Sequence, residues 1–301
     1  MKKLIRIVVM MLTVVMVMSI SFSKESKNST MNTQDSETTV VVPIPEKKAD
    51  KGKHVDSILL NNELAVTIGE STKVLPEPDE VLDGTYGFQW YLYNTDTYNG
   101  FVAAAVSKET VIGFLSVGNG WEWNNISAGD DVSVAEALDT SFAKDYVGGL
   151  YSYDEVFGVM MISKEMAADL YGTTAAGEAK LLFHLTNAYR VMNGVDALSW
   201  NDSVAKVAIA HSMDMLKNVY FSHTDKTGGN SYDRLKRAGI IFTACGENLA
   251  YGYNNAVNTL FGWISSPTHR NNLVNPAFSS MGIGAEVSEN GMVMWTQNFI
   301  G

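Results

Sequence analysis

The feature that most constrains the fold is a change in hydrophobic spacing near residue 178. Before it, aromatic and β-branched runs at 88–93, 101–106 and 111–117 are separated by Asn, Asp and Gly turns, which predicts an antiparallel meander. After it, apolar residues recur every three or four positions from Leu181 to Met192, which predicts an amphipathic helix ended by Gly194. The chain is therefore predicted to be α+β, with a β-rich part first.

Further signals organise the part that follows. A second helix is expected to begin at Asn201-Asp202, and another to be capped by Asn254 or Asn255 and to end before Pro267. Ser266 and Pro267 form a cap and first-position pair for a short helix that carries His269. Alternating residues on both sides of Asn290-Gly291 predict a terminal hairpin.

The N-terminus has the pattern of an export signal. Positive residues within 1–6 precede an apolar run over 7–20 and a small-x-small cleavage site at Ser21-Phe22-Ser23, which predicts a signal peptide over 1–23. The alternative is a membrane anchor formed by uncleaved residues 4–22. Residues 24–57 are polar and mixed in charge, so they are predicted to be a disordered tether that contains His54.

Charge and cysteine content exclude some classes of protein. The formal net charge is −11, and it becomes −14 if the three positive residues of the signal are removed. Such a chain lacks the basic surface that nucleic acid binding normally needs. The single cysteine, Cys245, leaves no intrachain disulfide, so the fold depends on an apolar core, for which 46% hydrophobic residues are sufficient. Cys245 itself is interpreted as a small buried residue, with a reactive thiol as the alternative.

The order of several motifs in the last 120 or so residues resembles that of one family. The motifs are Asn187-Ala188-Tyr189-Arg190, Leu198-Ser199-Trp200, Phe221-Ser222-His223, Gly246-Glu247-Asn248-Leu249, Ser266-Pro267-Thr268-His269-Arg270 and Trp295-Thr296-Gln297-Asn298-Phe299. In this order they resemble the bacterial CAP superfamily of cysteine-rich secretory, antigen 5 and pathogenesis-related proteins. The resemblance implies an α-β-α sandwich over residues 178–301. Residues 58–172 resemble the CAP-associated N-terminal domain of some low-GC Gram-positive bacteria, for which we assign no chemistry.

The resemblance also implies a cleft with two histidines and acidic residues. The histidines correspond to His223 and His269, which are the predicted metal ligands, and the acid corresponds to Glu247. Ser266 stands where eukaryotic relatives have a second carboxylate, and it is retained as a binding candidate. Two imidazoles with few carboxylates favour zinc over a harder cation such as magnesium. The two histidines lie 46 residues apart, so their spacing alone does not predict a shared site.

Each of these residues has a structural alternative. Glu247 is either a metal ligand or catalytic base, or a buried carboxylate that holds loop amides or Arg270. His211 shares a helix face with apolar residues and is interpreted as a core histidine, as is His184. Ser222 and Ser266 lie outside any Gly-x-Ser-x-Gly elbow, which disfavours a serine hydrolase.

Two functions remain. The preferred one is a secreted or cell-wall-associated, non-enzymatic protein whose cleft binds a metal or an extracellular ligand such as a cell-wall component, a peptide or a lipid. The other is a metal-dependent extracellular hydrolase with Glu247 as its base. The sequence determines neither the ligand nor the oligomeric state.

Overall fold

A computed structural model describes residues 16–23 by their backbone, and residues 55–61, 63–84, 87–138, 140–167, 175–288 and 291–301 in greater detail. Several predicted features lie outside these ranges. They are residues 1–15 of the signal, most of the tether with His54, residues 168–174 near the junction of the two predicted domains, and the Asn290 position of the hairpin turn.

The described strands are distributed over both the N-terminal and the C-terminal part of the chain. In chain order they are β1 (Met16–Ser23), β2 (Ser57–Leu60), β3 (Leu64–Thr67), β4 (Glu80–Asp83), β5 (Gln89–Tyr93), β6 (Val102–Ser107), β7 (Thr110–Val117), β8 (Trp121–Trp123), β9 (Ile126–Ser127), β10 (Tyr146–Ser152), β11 (Val156–Ser163), β12 (Ser199–Trp200), β13 (Ala244–Tyr251), β14 (Ser280–Val287) and β15 (Val293–Ile300).

Among the described helices, the longer ones follow residue 174. In chain order the helices are α1 (Val132–Glu136), α2 (Lys164–Ala167), α3 (Ala175–Met192), α4 (Asp202–Lys217), α5 (Ser231–Arg237), α6 (Ala256–Ser265) and α7 (Pro267–Leu273). In the ranges that the structure describes, no helix combines the length and apolar character needed to cross a membrane.

The C-terminal part is an α-β-α sandwich, as predicted. Its sheet has the order β1-β13-β15-β14-β12, and only the β12–β14 pair is parallel. Helices α4 and α5 pack on one face, where Cys245 and Ile300 meet apolar residues of both helices. Helices α3, α6 and α7 cover the other face. Because helices cover both faces of the sheet, the side chains that point to either face are buried. Strands β13 and β15 are therefore buried along nearly their whole length.

Two glycines of β14 allow helix α4 to lie directly on the sheet. A Cβ atom at Gly282 would lie 2.1 Å from the backbone nitrogen of Ala205, and one at Gly284 would lie 2.3 Å from that of Ile209. The Gly-Ile-Gly motif therefore sets the distance between α4 and the strands that it covers.

The N-terminal part is β-rich and antiparallel, as predicted. A six-stranded sheet of order β10-β11-β7-β6-β5-β4 accompanies a four-stranded sheet of order β3-β2-β8-β9. In β6, Val102, Ala104 and Val106 belong to one buried cluster, whereas Ala103 and Ala105 belong to the cluster that includes α3. Strand β6 is buried on both faces because its sheet lies between the smaller sheet and helix α3.

Helix α1 of this part begins at an acidic N-cap residue. The side chain of this residue, Asp131, accepts a hydrogen bond from the N–H of Ser133. The Asp131 carboxylate has a lowered pKa because the hydroxyl and the backbone N–H of Ser133 both donate hydrogen bonds to it. The two parts share a core, since one buried cluster contains Trp90 and Leu115 of the N-terminal part together with Leu182 and Trp263 of the C-terminal part.

A buried polar network crosses this junction at His184 on α3. Its Nδ1 lies 3.0 Å from the Tyr98 hydroxyl, and its Nε2 lies 3.0 Å from a carboxylate oxygen of Glu80. Asn187, one turn further along α3, also donates to the Tyr98 hydroxyl. His184 is thus the hydrogen-bonded core histidine that its apolar helix face predicted.

We expect stability to fall as pH drops below about 6.5, in part through His184. Burial lowers the pKa of His184, although Glu80 acts in the opposite direction. Between the lowered pKa and pH 6.5, the unfolded chain binds a proton that the folded chain does not. The contribution of His184 to the free energy of unfolding is therefore complete above pH 6.5 and is lost as pH falls, at up to about 1.4 kcal/mol per pH unit. Burial lowers the pKa of His211 as well, with the same sign.

Urea unfolding between pH 7.5 and 5.5 measures this dependence. The His184→Gln variant, which keeps polar atoms at the junction, should show a shallower slope than the wild type. Equal slopes in the two proteins would exclude a neutral, buried His184 as a source of acid sensitivity.

Candidate functional site

Glu247 lies at the centre of the site, on strand β13, and its side chain is fully buried. One carboxylate oxygen lies 2.8 Å from His223 Nδ1, and the other accepts a hydrogen bond of 2.6 Å from Arg234 Nη2. Burial alone would raise the pKa of Glu247, but Arg234 and His223 outweigh it and lower the pKa to about 2. Glu247 is therefore an ionised carboxylate whose two oxygens are both occupied.

Arg234, and not Arg270, is the cationic partner of Glu247. Arg270 instead donates to the Ile264 carbonyl and lies over the Tyr153 ring. Arg234 is held by helix α5, which begins with a capping box between Asn230 and Asp233. The same guanidinium donates to the carbonyls of His223 and Gly229, so it fixes the loop before α5 as well as the carboxylate.

His223 has one nitrogen engaged and one available. Because the Glu247 carboxylate only accepts, Nδ1 donates to it, and in the neutral imidazole Nε2 then carries the lone pair. That Nε2 atom is buried and has no hydrogen-bond partner in the part of the chain that the structure describes. A carboxylate that orients one nitrogen while the other is available is the usual arrangement around a metal-binding histidine.

His211 supports His223 from helix α4. Its Nε2 lies 3.0 Å from the carbonyl of Ser222, the residue next to His223. The predicted burial of His211 is confirmed, at 1% exposure. Its Nδ1, however, is buried without a partner among the described residues, so the side chain is only half satisfied.

His269 approaches β13 from the opposite face of the sheet. Its carbonyl accepts a hydrogen bond from Asn248, the residue after Glu247, and Asn272 of the same helix donates to the carbonyl of Glu247. His269 as a whole residue is 4% exposed. Since neighbouring residues of a strand point to opposite faces, β13 carries the His223 contact on one side and the His269 contact on the other.

The structure describes the local surroundings of the two serine candidates. Ser266 is the N-cap residue of α7, with Pro267 in the first turn, but its hydroxyl makes no capping hydrogen bond. No described contact joins that hydroxyl to Glu247 or His223. Ser222 accepts from the N–H of Thr224 and so stabilises the loop. Cys245 is buried, as predicted, and burial raises the pKa of its thiol to about 12, which makes it inert.

Asn298 is a component of the site that the sequence did not reveal. It pairs with Glu247 across β13 and β15 and is fully buried. Neither its amide nitrogen nor its amide oxygen has a hydrogen-bond partner within the described ranges. Unpaired buried amides are costly, so this position favours an additional polar group or water beside Glu247. Its place in the Trp-Thr-Gln-Asn-Phe motif is the only signal that could have indicated it.

The residues described do not form a complete metal cage. No group of three or more His, Cys, Asp or Glu side chains in the described ranges is arranged to hold a cation. The Glu247 oxygens are already taken by Arg234 and His223. The protein therefore offers imidazole nitrogen as a donor, and other coordination positions would have to come from water or from a bound ligand.

Comparison with known proteins agrees with this architecture. Residues 183–299 match the sequence model of the cysteine-rich secretory protein (CAP) family. The chain is 26% identical to the membrane protein YlbC of Bacillus subtilis, over 85% of this chain and 88% of that one. It is 38% identical to the protein YkwD of the same organism over 122 residues, which are 40% of this chain and 46% of YkwD.

Solved structures show the same fold. An extracellular protein containing an SCP domain from Bacillus anthracis is 25% identical, with a TM-score of 0.66 over 86% of this chain and 99% of that one. A cysteine-rich secretory protein from Staphylococcus aureus is 17% identical, with a TM-score of 0.61 over 77% of this chain and 91% of that one. The C-terminal part of this chain is therefore a CAP domain of the cysteine-rich secretory protein family, and a β-rich region precedes it.

Proposed function

We propose that this protein acts outside the cell membrane, secreted or attached to the cell surface, and that its CAP cleft binds a ligand without catalysing a reaction. The export signal predicted for residues 1–23 and the extracellular protein of Bacillus anthracis support this location. YlbC is named as a membrane protein, which supports attachment through residues 4–22 as the alternative.

The state of Glu247 favours binding over hydrolysis. A general base has to accept a proton from water and works best with a pKa near the working pH. The pKa of Glu247 is lowered to about 2, and Arg234 and His223 occupy its two oxygens. Such a carboxylate is a weak base, so it suits an orienting role rather than the catalytic role of the hydrolase hypothesis.

Zinc is the cation that the donors fit best. The observation that carries this assignment is that His223 Nε2 is buried and has no hydrogen-bond partner among the described residues, while Glu247 is bound to Nδ1. Nitrogen donors suit zinc better than magnesium or calcium. We propose His223 and His269 as its ligands, with Glu247 orienting His223. The contact of His269 on the opposite face of β13 is made by its backbone carbonyl, and in this proposal the two rings meet at the outer edge of β13. When bound, zinc would hold an oxygen or nitrogen of the ligand in the cleft by accepting a lone pair.

Isothermal titration calorimetry of the full-length protein with zinc tests this site. We expect His223→Ala and His269→Ala each to weaken binding at least tenfold, and Ser266→Ala to leave it unchanged, since the Ser266 hydroxyl makes no contact with Glu247 or His223. Binding should also weaken as pH falls, because protons compete for imidazole nitrogen. Equal affinity in all four proteins would rule out the assignment.

A further inference from the structure

Strand β1 occupies the outer edge of the CAP sheet. It lies antiparallel to β13 in an unbroken register, from Met16 opposite Tyr251 to Ser23 opposite Ala244. The opposite edge of β13 pairs with β15. Strand β13 therefore becomes the last strand of the sheet whenever residues 16–23 are absent.

Cleavage of the predicted signal after residue 23 would remove β1 as a whole. The backbone N–H and C=O groups of β13 that faced β1 would then lose their partners over eight residues. An edge of that length is a template for another extended chain, and a folded protein normally covers or blunts it.

The location of this edge connects it to the candidate site. Ile20 pairs with Glu247 and Ser19 with Asn248, the two residues of β13 that contact the His223 side chain and the His269 backbone. Helix α7, which carries His269, packs against both β13 and β1. A chain in this position runs between the two layers that supply the histidines.

We propose that the exposed edge of β13 binds an extended peptide, which adds to the sheet as an antiparallel strand along the cleft. This proposal rests on the ligand-binding function proposed above and names the class of ligand. The segment that now occupies the edge is uncharged and alternates apolar residues with serine from Met18 to Ser23. Peptides of this alternating type are the expected ligands, and backbone hydrogen bonds supply most of their affinity.

Binding of a synthetic peptide with the sequence of residues 16–23 tests the proposal. The protein is the exported form, with its N-terminus verified by mass spectrometry, and fluorescence anisotropy is recorded with a chelator present. Two further peptides carry backbone N-methyl groups, one at positions 17, 19 and 21 and the other at 18, 20 and 22. In an antiparallel ladder, alternate N–H groups face the same neighbour, so only one of these two sets removes donors that β13 uses.

We expect one methylated peptide to bind at least about tenfold more weakly than the unmodified peptide, and the other to bind with similar affinity. The full chain that retains residues 1–23 should also bind at least tenfold more weakly, because its own β1 covers the edge. Equal binding of both methylated peptides would indicate nonspecific apolar association. No binding of the unmodified peptide would show that the β13 edge does not bind an extended peptide. Either result overturns the proposal. Because zinc is absent, neither outcome depends on the metal site, which the calorimetric titration tests separately.

Discussion

Replacing Arg234 with methionine should lower the free energy of unfolding by about 3–5 kcal/mol, because removing one partner of a buried ion pair leaves the other charge uncompensated. Glu247 is fully buried, and Arg234 is the only guanidinium within the described ranges that hydrogen-bonds to it. Methionine keeps much of the volume of the arginine side chain. The loss should therefore report charge and hydrogen bonding rather than a cavity, and denaturant unfolding at pH 7 measures it.

Helix α5 offers a matched control in Arg237. Its guanidinium pairs with Asp225, but its side chain is 56% exposed, so Arg237→Met should cost less than about 1 kcal/mol. The Arg234→Met/Glu247→Gln double variant should recover part of the stability, since no ionised carboxylate then remains buried without its partner. Similar losses in Arg234→Met and Arg237→Met would mean that the buried pair contributes no more than a surface pair.

Much of the C-terminal fold could be predicted because its signals are local. Gly194 has a φ of 72°, so it can end α3 as expected. Asn255 caps α6, and Pro267 begins α7, as the capping rules indicated. Each of these positions depends on backbone conformation within a few residues, and the sequence encodes that conformation directly.

The composition of the site was less predictable because it depends on contacts between layers. Arg234 lies on a short helix among other basic residues, and nothing local distinguishes it from Arg237. Its role follows from the packing of α5 over β13. This packing brings Arg234 into direct contact with Glu247, which lies 13 residues away in sequence. Asn298 likewise meets Glu247 only through the β13–β15 register. Patterns within one segment carry no information on such cross-strand and helix-to-sheet pairs.

The core that the two regions share was also not predictable from the sequence, because it too depends on contacts between elements that are distant along the chain. Helical spacing from Leu181 onward predicted an amphipathic helix, but α3 is buried on most of its surface because the CAP sheet and the N-terminal sheet both pack against it. A helix that is buried all round needs two partners, and the sequence alone does not identify the second one. We therefore expect the proposed domain boundary near residue 178 to separate two sets of strands and helices, but not two separate hydrophobic cores.

Replacing Trp263 with alanine should destabilise the protein by about 3–5 kcal/mol, the usual cost of removing a large buried aromatic side chain. Trp263 lies on α6 and is fully buried in the cluster that contains α3. Its indole Nε1 donates to the Leu249 carbonyl of β13. The side chain thus joins the helix before α7 to the strand that carries Glu247, so we also expect weaker zinc binding in this variant.

Two further variants separate the packing of Trp263 from its hydrogen bond. Trp263→Phe keeps most of the apolar contact but leaves the Leu249 carbonyl unpaired, which should cost about 1–3 kcal/mol. Trp200 is only partly buried and donates to the exposed side chain of Asp202, so Trp200→Ala should cost clearly less than Trp263→Ala. If all three variants unfolded at the same urea concentration, Trp263 would not be the link between α6 and β13. The position of α7 beside β13 would then need another structural explanation.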